Sequence, residues 1–589
     1  MSSLKFLNHY LIRYKYKIYI GCFFIVLSNI FALFPVNLIG RTFDLIVEKI
    51  DTFYLTNHID FKSLYSILLV YVVLLIFFAL LKGLFMFFMR QNIIVVSREI
   101  EYELKNDIFC HYQKLSSFFY KNHDIGDLLN RLTEDVSRVR MYLGPALMYS
   151  FNLLTLIILV LTRMISIHPW LSFLVLAPLP LLSFLIYLVS NKINYKSKAA
   201  QNKLSKLTNV VQETFSGIRL VKSFVRESKI IDRFNKSSNN YMLEYISLSK
   251  TNSIFFPLVL LLVGLSTIVT IYVGGLLYIR GDISLGEITE FLIYVNMLTW
   301  PVTSVGWVTE VIQRAAASQT RINEFLTNKN FSQFHRFSLN PKLEDFIINI
   351  SCKNLSLQYQ EGFSVNNVNL NILNKSMVAF VGGVGSGKTT LIKILAGILP
   401  ASKGDLLFND ILFSHLNSNS FREYIAYVPQ NPFLFSDTIK NNILFGNENA
   451  TDQRILYLLE KLCILDEVKS FKNHLNTHVG EGGITLSGGQ KQRICLVRAL
   501  VKNPKLLILD DALSSVDSDT EFSIIKFIKT EYSNCTIILT SNRLSVLEHC
   551  DNIFVMSNGR IVQSGTPNKL INESGVYYNL FASQLSYSN

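Results

Sequence analysis

The chain has 589 residues, of which 50% are hydrophobic, and it carries a formal net charge of +13 at pH 7. Apolar runs of membrane-spanning length crowd its first part and are absent from its second, which excludes a purely soluble protein. A charge of this size could indicate nucleic-acid binding, but the basic residues cluster beside the apolar runs, so we expect no nucleic-acid partner. The seven cysteines show no metal-binding or disulfide spacing.

Six apolar runs in the first part reach the length of about 20 residues that a helix needs to cross a bilayer. The predicted spanning helices cover residues 18–39, 64–89, 143–161, 171–190, 254–279 and 288–307. Buried helices of a soluble protein are shorter and fewer, so the pattern predicts a membrane α-helical bundle. Lys82 lies inside the second run, where it could either line a substrate path or extend its ammonium to the membrane interface.

Lysine and arginine residues are unevenly distributed around these runs. They precede the first run and fill the connections between the second and third and between the fourth and fifth runs. The positive-inside rule places these basic segments, and with them both chain termini, in the cytoplasm. We therefore predict a multi-pass protein of the inner (cytoplasmic) membrane, in contact with the lipid bilayer.

The two long basic connections do not read as loops. Residues 90–113 and 191–214 keep helical periodicity without breakers, so we expect the second and fourth spanning helices to continue beyond the membrane. After each extension the helical pattern is interrupted over a short segment in which we expect the chain to reverse direction. The first segment covers 116–126, and the second covers 215–224, around Gly217.

The sequence changes character after the last apolar run. A polar helix over residues 314–326 leads out of the membrane, and polar sequence then reads as a linker. Short apolar strands are predicted at 346–350, 355–358 and 368–372, and alternating strand and helix patterns follow, which is typical of an α/β domain. We predict a membrane domain over 1–325, a linker over 326–347 and an α/β domain over 348–589.

A glycine-rich loop is the most informative motif of the α/β domain. It reads G-x-x-x-x-G-K-T, a P-loop, and consists of Gly382, Gly383, Val384, Gly385, Ser386, Gly387, Lys388 and Thr389. An apolar run over 377–381 precedes it as a strand, and a helix predicted over 390–396, opening with Thr390, follows it. The glycines let backbone N–H groups converge on phosphate oxygens, Lys388 adds a positive charge, and the Thr389 hydroxyl can ligate Mg²⁺. The loop predicts binding of a nucleoside triphosphate.

A second motif precedes a helix predicted over 491–500 and consists of Leu486, Ser487, Gly488, Gly489 and Gln490. Ser487 and the glycine amides form another anion cradle at a helix N-terminus. The motif contains no lysine, so we expect it to close over a nucleotide held by the P-loop of another subunit. A P-loop and this LSGGQ motif in one domain resemble the ATP-binding cassette (ABC) transporter family, and the resemblance covers essentially the whole chain.

The resemblance implies an organisation for the chain. A membrane domain fused ahead of a P-loop α/β ATPase domain is similar to exporters and flippases, and one copy of each domain implies a half-transporter that needs a second half. The reversals at 116–126 and 215–224 resemble coupling helices that dock on the ATPase domain; ordinary surface packing is the alternative for their aromatic residues. Gly480-Glu481 resembles the exporter contact to these helices, and residues 514–517 resemble the D-loop of the dimer interface.

Further residues match the ATPase motifs of the family. Tyr359, shortly before the P-loop strand, resembles the aromatic residue that stacks on adenine, with a core aromatic as the alternative. Gln430 resembles the glutamine that approaches Mg²⁺ and the attacking water. Asp510 ends a strand predicted over 506–510 and resembles the Walker B aspartate. The resemblance thus assigns Mg²⁺ to Thr389, Gln430 and Asp510.

Two positions depart from the family pattern. The residue after the Walker B aspartate is normally a glutamate that polarises the attacking water, and here it is Asp511, which is one methylene shorter. Base chemistry needs heavy atoms within about 3 Å of the water, so a retreat of about 1 Å is costly. Asn542, after a strand predicted over 536–540, replaces the switch histidine and cannot carry a proton or a positive charge. We expect ATP binding with poor hydrolysis; a divergent but active site is the alternative.

The intact LSGGQ beside these departures resembles one subunit of heterodimeric ABC exporters, in which one composite ATP site is degenerate and the other is competent. The pattern is similar to bacterial multidrug-resistance-like half-transporters of the MdlA type. We predict export or flipping of hydrophobic or amphipathic substrates, driven by ATP with Mg²⁺, by a heterodimer with a second, non-identical half-transporter. The alternatives are a homodimeric lipid flippase and an ATP-gated regulator or pore.

Overall fold

The computed structural model describes residues 2–56, 61–121, 123–327, 348–359, 362–416 and 418–586. The chain divides into two compact units. The first comprises Met1–Gln113 and Ile125–Asn328, and the second comprises Lys114–Asp124 and Lys329–Asn589. Most of the predicted linker, residues 328–347, lies outside the described residues, so the linker stays a prediction.

Helices make up the first part of the chain because its sequence is apolar over long stretches with few helix breakers. These helices are α1 (Asn8–Arg13), α2 (Lys15–Thr56), α3 (Phe61–Lys114), α4 (Ser117–Lys121), α5 (Ile125–Asn130), α6 (Val136–Met141), α7 (Leu147–Ile167), α8 (Pro169–Leu176), α9 (Pro178–Ser216), α10 (Ile218–Ser223), α11 (Glu227–Asn252), α12 (Phe255–Arg280) and α13 (Leu285–Thr327). Two π-helical turns, Arg131–Asp135 and Tyr142–Ala146, flank α6.

Within the described residues, 5 helical segments are long and apolar enough to cross a membrane. They contain all the predicted spans except the fourth, over 171–190, which is divided between α8 and α9. The break falls at Ala177 because Pro178, at the start of α9, has no N–H with which to continue the helix before it. The apolar residues of the fourth span are therefore shared between two helices.

The predicted helical extensions are confirmed. α3 continues to Lys114 and α9 continues to Ser216, and each is followed by a short helix, α4 and α10 respectively. α4 belongs to the second compact unit. Its Phe119 is 3% exposed and stacks on His123 with ring centroids 3.9 Å apart. The coupling role of α4 and α10 stays a prediction.

A buried carboxylate ties the segment before α6 to the last helix of the first unit. Asp135, 3% exposed, accepts hydrogen bonds from Arg321 Nε at 3.0 Å and from Ser318 Oγ at 2.8 Å, both on α13. A carboxylate that has lost its hydration needs such donors. The contact holds the turn Arg131–Asp135 against α13.

Helices α2 and α13 approach each other closely near the start of α13. A Cβ on Gly286 would lie 2.1 Å from the carbonyl oxygen of Gly40, so only glycine permits this separation. Asp44 accepts hydrogen bonds from Gly286 N at 2.7 Å and from the Ser284 hydroxyl at 2.9 Å. The Asp44 carboxylate thereby satisfies donors at the N-terminus of α13.

The second unit also contains alternating strands and helices. Its strands are β1 (Ile350–Tyr359), β2 (Gly362–Ile372), β3 (Met377–Gly382), β4 (Lys403–Phe408), β5 (Ile411–Leu412), β6 (Ile425–Val428), β7 (Leu506–Asp510), β8 (Thr536–Thr540), β9 (Asn552–Ser557) and β10 (Arg560–Gly565). Its further helices are α14 (Lys388–Leu395), α15 (Ser418–Glu423), α16 (Ile439–Leu444), α17 (Asp452–Lys461), α18 (Leu465–Ser470), α19 (Gly488–Leu500), α20 (Ser518–Glu531), α21 (Leu544–Leu547), α22 (Pro567–Asn572) and α23 (Val576–Ser586). Of the strand predicted over 346–350, residues 346–347 lie outside the described residues, residues 348–349 form no strand, and Ile350 begins β1, where pairing with β2 and β4 starts.

Two sheets organise these strands. One is antiparallel in the order β2-β1-β4-β5, and the larger has the order β10-β9-β3-β8-β7-β6. In the larger sheet β9, β3, β8, β7 and β6 run parallel, and β10 is antiparallel to β9. Apolar clusters cover both faces, so β3, β7 and β8 are buried along their whole length. The carboxyl ends of four adjacent strands, β3, β8, β7 and β6, therefore open at one edge.

Candidate functional site: a P-loop nucleotide site

The four adjacent parallel strands carry the predicted ATPase residues to one edge of the larger sheet. The P-loop follows β3, Asp510 ends β7, Asn542 follows β8 and Gln430 follows β6. The strand register pairs Asp510 directly with Thr540 of β8. Because the carboxyl ends of parallel strands meet at the same edge, these residues converge on one site.

Two P-loop positions have a backbone that only glycine accommodates. Gly382 has a φ of +152°, and a Cβ there would lie 2.3 Å from the carbonyl oxygen of Met556. Gly387 has a φ of +99°, and a Cβ there would lie 2.3 Å from the carbonyl oxygen of Ser364. Both ends of the loop therefore pack so closely against neighbouring backbone that a side chain would not fit. This packing explains why the motif has glycine at these two positions.

The P-loop has an exposed rim and continues directly into helix α14. Gly383, Val384 and Gly385 are exposed at the rim. α14 begins at Lys388, earlier than predicted, so Thr389 and Thr390 belong to its first turn. The unpaired N–H groups of a first helical turn favour an anion at this end of the helix.

Lys388 folds its side chain back over the P-loop. Its Nζ donates hydrogen bonds to the carbonyl oxygens of Gly382 at 2.7 Å and Gly383 at 2.9 Å. Burial lowers the pKa of Lys388, while the nearby carboxylates of Asp511 and Asp510 oppose that shift. The Lys388 side chain is thus held at the loop by neutral carbonyl oxygens, and negatively charged phosphate oxygens can replace them as stronger partners.

Asp510 is buried, with 1% exposure, and three hydroxyl groups surround its carboxylate. Its Oδ1 accepts hydrogen bonds from Thr389 at 3.2 Å and Thr540 at 3.3 Å, and its Oδ2 accepts one from the Tyr427 hydroxyl at 3.2 Å. Burial raises the pKa of Tyr427 and the charge of Asp510 raises it further, so the hydroxyl keeps its proton and donates. No sequence motif marks Tyr427 or Thr540, and their place beside Asp510 follows from the register of β6, β7 and β8.

Asp511 leaves β7 in a left-handed conformation, with a φ of +49°. Its N–H donates to Thr540 Oγ1 at 2.7 Å, and its Oδ2 accepts a hydrogen bond from Gln430 Nε2 at 3.3 Å. These contacts fix Asp511 between the last residue of β8 and the segment that follows β6. Asn542 is exposed at the same edge of the sheet.

The LSGGQ residues begin α19, earlier than predicted. Ser487 Oγ accepts a hydrogen bond from Gln490 N at 3.2 Å, and Gln490 Oε1 accepts one from Ser487 N at 2.8 Å, which forms a capping box. Gln490 Nε2 also donates to Glu467 Oε2 at 2.7 Å. Leu486 is buried, whereas Ser487 and Gly488 are exposed. The motif therefore stands at the surface on a fixed helix N-terminus.

A hydrogen-bonded path joins the segment after β8 to α19. Arg543 donates to the carbonyl oxygen of Ser514 at 3.3 Å, and the Ser514 hydroxyl accepts from Gln492 Nε2 at 3.1 Å. Gln492 Oε1 accepts from Ser515 N at 2.9 Å, and a Cβ on Gly489 would lie 2.9 Å from the Ser515 carbonyl oxygen. The loop after β7 is thus held directly against the LSGGQ helix. Arg543 and Gln492 each neighbour a predicted motif without belonging to it.

The residues of the site fit a nucleoside triphosphate with Mg²⁺. The Thr389 hydroxyl and the Asp510 carboxylate place two oxygen atoms 3.2 Å apart, and hydroxyl and carboxylate oxygens are the kind of ligand that Mg²⁺ prefers. The Ser386 hydroxyl of the P-loop is buried and has no hydrogen-bond partner among the described residues, as expected of a group that meets a ligand. Tyr359 ends β1, but its side chain lies outside what the structure describes, so stacking on adenine stays a prediction.

The fold and the site together define a P-loop ATPase domain joined to a helical membrane domain. The family profile of the ABC transporter transmembrane region matches residues 18–302, and the ABC transporter profile matches residues 365–514. The chain belongs to the ABC transporter family, and it couples ATP hydrolysis to transport across a membrane.

Individual relatives cover nearly the whole chain. The probable multidrug resistance ABC transporter ATP-binding/permease protein YheI of Bacillus subtilis is 31% identical over 98% of this chain and 96% of its own length. The multidrug resistance-like ATP-binding protein MdlA of Escherichia coli is 29% identical over 97% of this chain and 95% of its own length. A solved bacterial Atm1-family ABC exporter with ATP bound superposes with a TM-score of 0.77, at 20% identity, over 98% of this chain and 99% of that one. This last likeness shows the fold.

Proposed function

We propose that this chain is one half of a transporter that exports or flips hydrophobic or amphipathic compounds across the cytoplasmic membrane. The multidrug names of YheI and MdlA, which match nearly the whole chain, support this substrate class. The basic connections after α3 and α9 support a cytoplasmic position for the ATPase domain and for both termini.

In this proposal the P-loop holds the triphosphate of ATP, and Lys388 exchanges its carbonyl partners for phosphate oxygens. Thr389, Asp510 and Gln430 hold Mg²⁺, which supplies positive charge to the phosphates when bound. Tyr359 stacks on the adenine. Ser487 and the glycine N–H groups of the LSGGQ motif cover a nucleotide bound to the partner.

The observation that carries the proposal is the pairing of a constrained Asp511 with an intact LSGGQ. The Asp511 carboxylate is one methylene shorter than a glutamate and is already engaged by Gln430 at 3.3 Å. Asn542 cannot take up a proton at the neighbouring position. The site on this P-loop then binds ATP and hydrolyses it slowly. The competent site combines this LSGGQ with the P-loop of a non-identical partner.

Transport by the reconstituted protein tests the proposal. The chain would be placed in liposomes alone and with candidate partner half-transporters, and ATP-dependent accumulation of a fluorescent amphipathic dye would be measured. We expect transport and dye-stimulated ATPase activity from the correct pair only. Robust transport by the chain alone would indicate a homodimeric flippase instead, and ATP binding without directional transport in any combination would indicate a gated regulator.

A further inference from the structure

Side chains alternate between the two faces of the larger sheet along each strand. Tyr427 on β6, Asp510 on β7 and Thr540 on β8 follow the same face as Ile508 and Ile538, which pack with apolar residues of α14. This face of the sheet is mostly apolar, and the three polar residues lie at its carboxyl-terminal end. They lie where α14 begins, and its Thr389 reaches Asp510.

The three hydroxyl groups donate hydrogen bonds to different oxygens of the Asp510 carboxylate. Oδ1 accepts from Thr389 at 3.2 Å and from Thr540 at 3.3 Å. Among the residues that the structure describes, Tyr427 alone donates to Oδ2, at 3.2 Å. Since Asp510 is 1% exposed, bulk water does not replace a missing donor. The Tyr427 hydroxyl therefore fixes the rotation of the carboxylate, with one oxygen held by Tyr427 and the other facing Thr389.

We propose that Tyr427 is a positioning residue for Mg²⁺ binding, because its hydroxyl holds Asp510 Oδ2 and keeps Oδ1 turned toward Thr389. The inference rests on the proposed Mg²⁺ role of Thr389 and Asp510. Tyr427 and Gln430 belong to one short segment, so the end of β6 acts on the site in two ways. Gln430 contacts Asp511 directly, and Tyr427 orients Asp510.

A purely structural role for Tyr427 makes a different prediction. Phenylalanine would fill the same volume beside Ile425 and Ile508, so the hydroxyl is not needed for packing. Removing it leaves Asp510 Oδ2 without its donor, and the carboxylate then turns toward its remaining donors. Only the orienting role links the hydroxyl to the Mg²⁺ concentration that the site requires.

The test is a Mg²⁺ titration of nucleotide binding by the full-length protein in its assembled transporter. Photolabelling with 8-azido-ATP reports binding to this chain separately from its partner, from EDTA to saturating Mg²⁺. Tyr427→Phe is expected to raise the Mg²⁺ concentration for half-maximal labelling by about three- to tenfold, because one hydrogen bond to a charged group is lost. Labelling in EDTA should not change.

Two further variants make the result specific. Tyr424→Phe is the matched control, since the Tyr424 hydroxyl makes no hydrogen bond within the described residues, and it should titrate like the unmodified protein. Asp510→Asn should shift the midpoint strongly. A shift in Asp510→Asn without one in Tyr427→Phe would overturn the role of Tyr427 alone. No shift in Asp510→Asn would overturn the Mg²⁺ assignment and this inference with it. Weaker labelling of Tyr427→Phe in EDTA would also overturn it, as a loss of the nucleotide site itself.

Discussion

Asp511 and Asn542 stand where the resemblance to the ABC transporter family predicts a glutamate and a histidine, and the Asp511 backbone is closely constrained. Its φ of +49° and its N–H bond to Thr540 at 2.7 Å fix the point from which its side chain starts. A small backbone shift therefore cannot recover the missing methylene. At the scale of single residues, the proposed slow hydrolysis follows from the short side chain of Asp511 and from Asn542, which cannot take up a proton.

Introducing the glutamate and the histidine of the family pattern at positions 511 and 542 should increase ATP hydrolysis. We expect Asp511→Glu combined with Asn542→His to raise ATP hydrolysis by the chain purified alone about tenfold or more, since general-base catalysis commonly contributes about 10²–10⁴-fold. Phosphate release at saturating ATP and Mg²⁺ measures the gain. Asp511→Gln combined with Asn542→His is the control, because it restores length without a base. Equal rates in both double variants, with ATP binding retained, would contradict a degenerate site caused by these residues.

At the scale of elements, the close approach of α2 and α13 depends on Gly286. We expect Gly286→Ala to lower the thermal unfolding midpoint of the purified protein, because its Cβ would lie 2.1 Å from the Gly40 carbonyl oxygen. Gly306→Ala lies on the same helix and is the matched control, since a Cβ there meets nothing within 4 Å. Equal midpoints for the two variants would show that the helices do not depend on this contact.

The contact between Asp135 and α13 makes a second prediction for an element. Arg321→Met removes one of the donors to a carboxylate that is 3% exposed, so we expect a loss of about 1–3 kcal/mol in the free energy of unfolding. Arg314→Met, on the same helix, breaks only the exposed pair with Glu310 and should cost less than about 1 kcal/mol. Thermal unfolding in one detergent compares the two variants. The prediction fails if Arg314→Met is as damaging as Arg321→Met.

Some elements could be predicted closely because their limits are local. β7 and β8 were predicted with their observed limits, since each is a continuous apolar run that ends at a polar site residue. The start of β1 depends on where β2 and β4 begin to pair with it, which no local pattern states. α14 and α19 both start earlier than predicted. In α19 the added residues include Gly488 and Gly489, which weaken the helical pattern in the sequence although a helix N-terminus tolerates them. In α14 the added residues are Lys388 and Thr389, which belong to the P-loop motif.

In the candidate site too, residues within local sequence motifs could be predicted, whereas residues that act through distant contacts could not. The P-loop, the LSGGQ motif and Asp510 belong to recognisable sequence patterns. The P-loop and Asp510 could therefore be placed at the ends of their strands, and the LSGGQ motif at the start of a helix. Tyr427, Gln492 and Arg543 could not, because each acts on a residue that is distant in sequence. Tyr427 reaches Asp510 through the register of neighbouring strands, and Gln492 reaches Ser514 through the packing of a loop on α19.

At the scale of the whole molecule, the two nucleotide motifs lie on different elements of the second unit. The P-loop is wedged between β3 and α14, and the LSGGQ motif caps α19, where Glu467 anchors Gln490. Ser487 and Gly488 remain exposed at the end of that helix. This arrangement supports the proposal that an ATP site is completed by a second half-transporter.

Comparing two variants of the assembled heterodimer tests this sharing of sites most directly. Ser487→Arg places charge and bulk in the motif that is proposed to cover the partner's nucleotide, so ATP turnover should fall about a hundredfold or more. Asp511→Asn should reduce turnover far less, because in this proposal Asp511 is a poor base. Steady-state phosphate release at saturating ATP and Mg²⁺ gives both values. If Asp511→Asn lowers turnover as much as Ser487→Arg does, the site on this chain's own P-loop is catalytic, and the proposal of a degenerate site is contradicted.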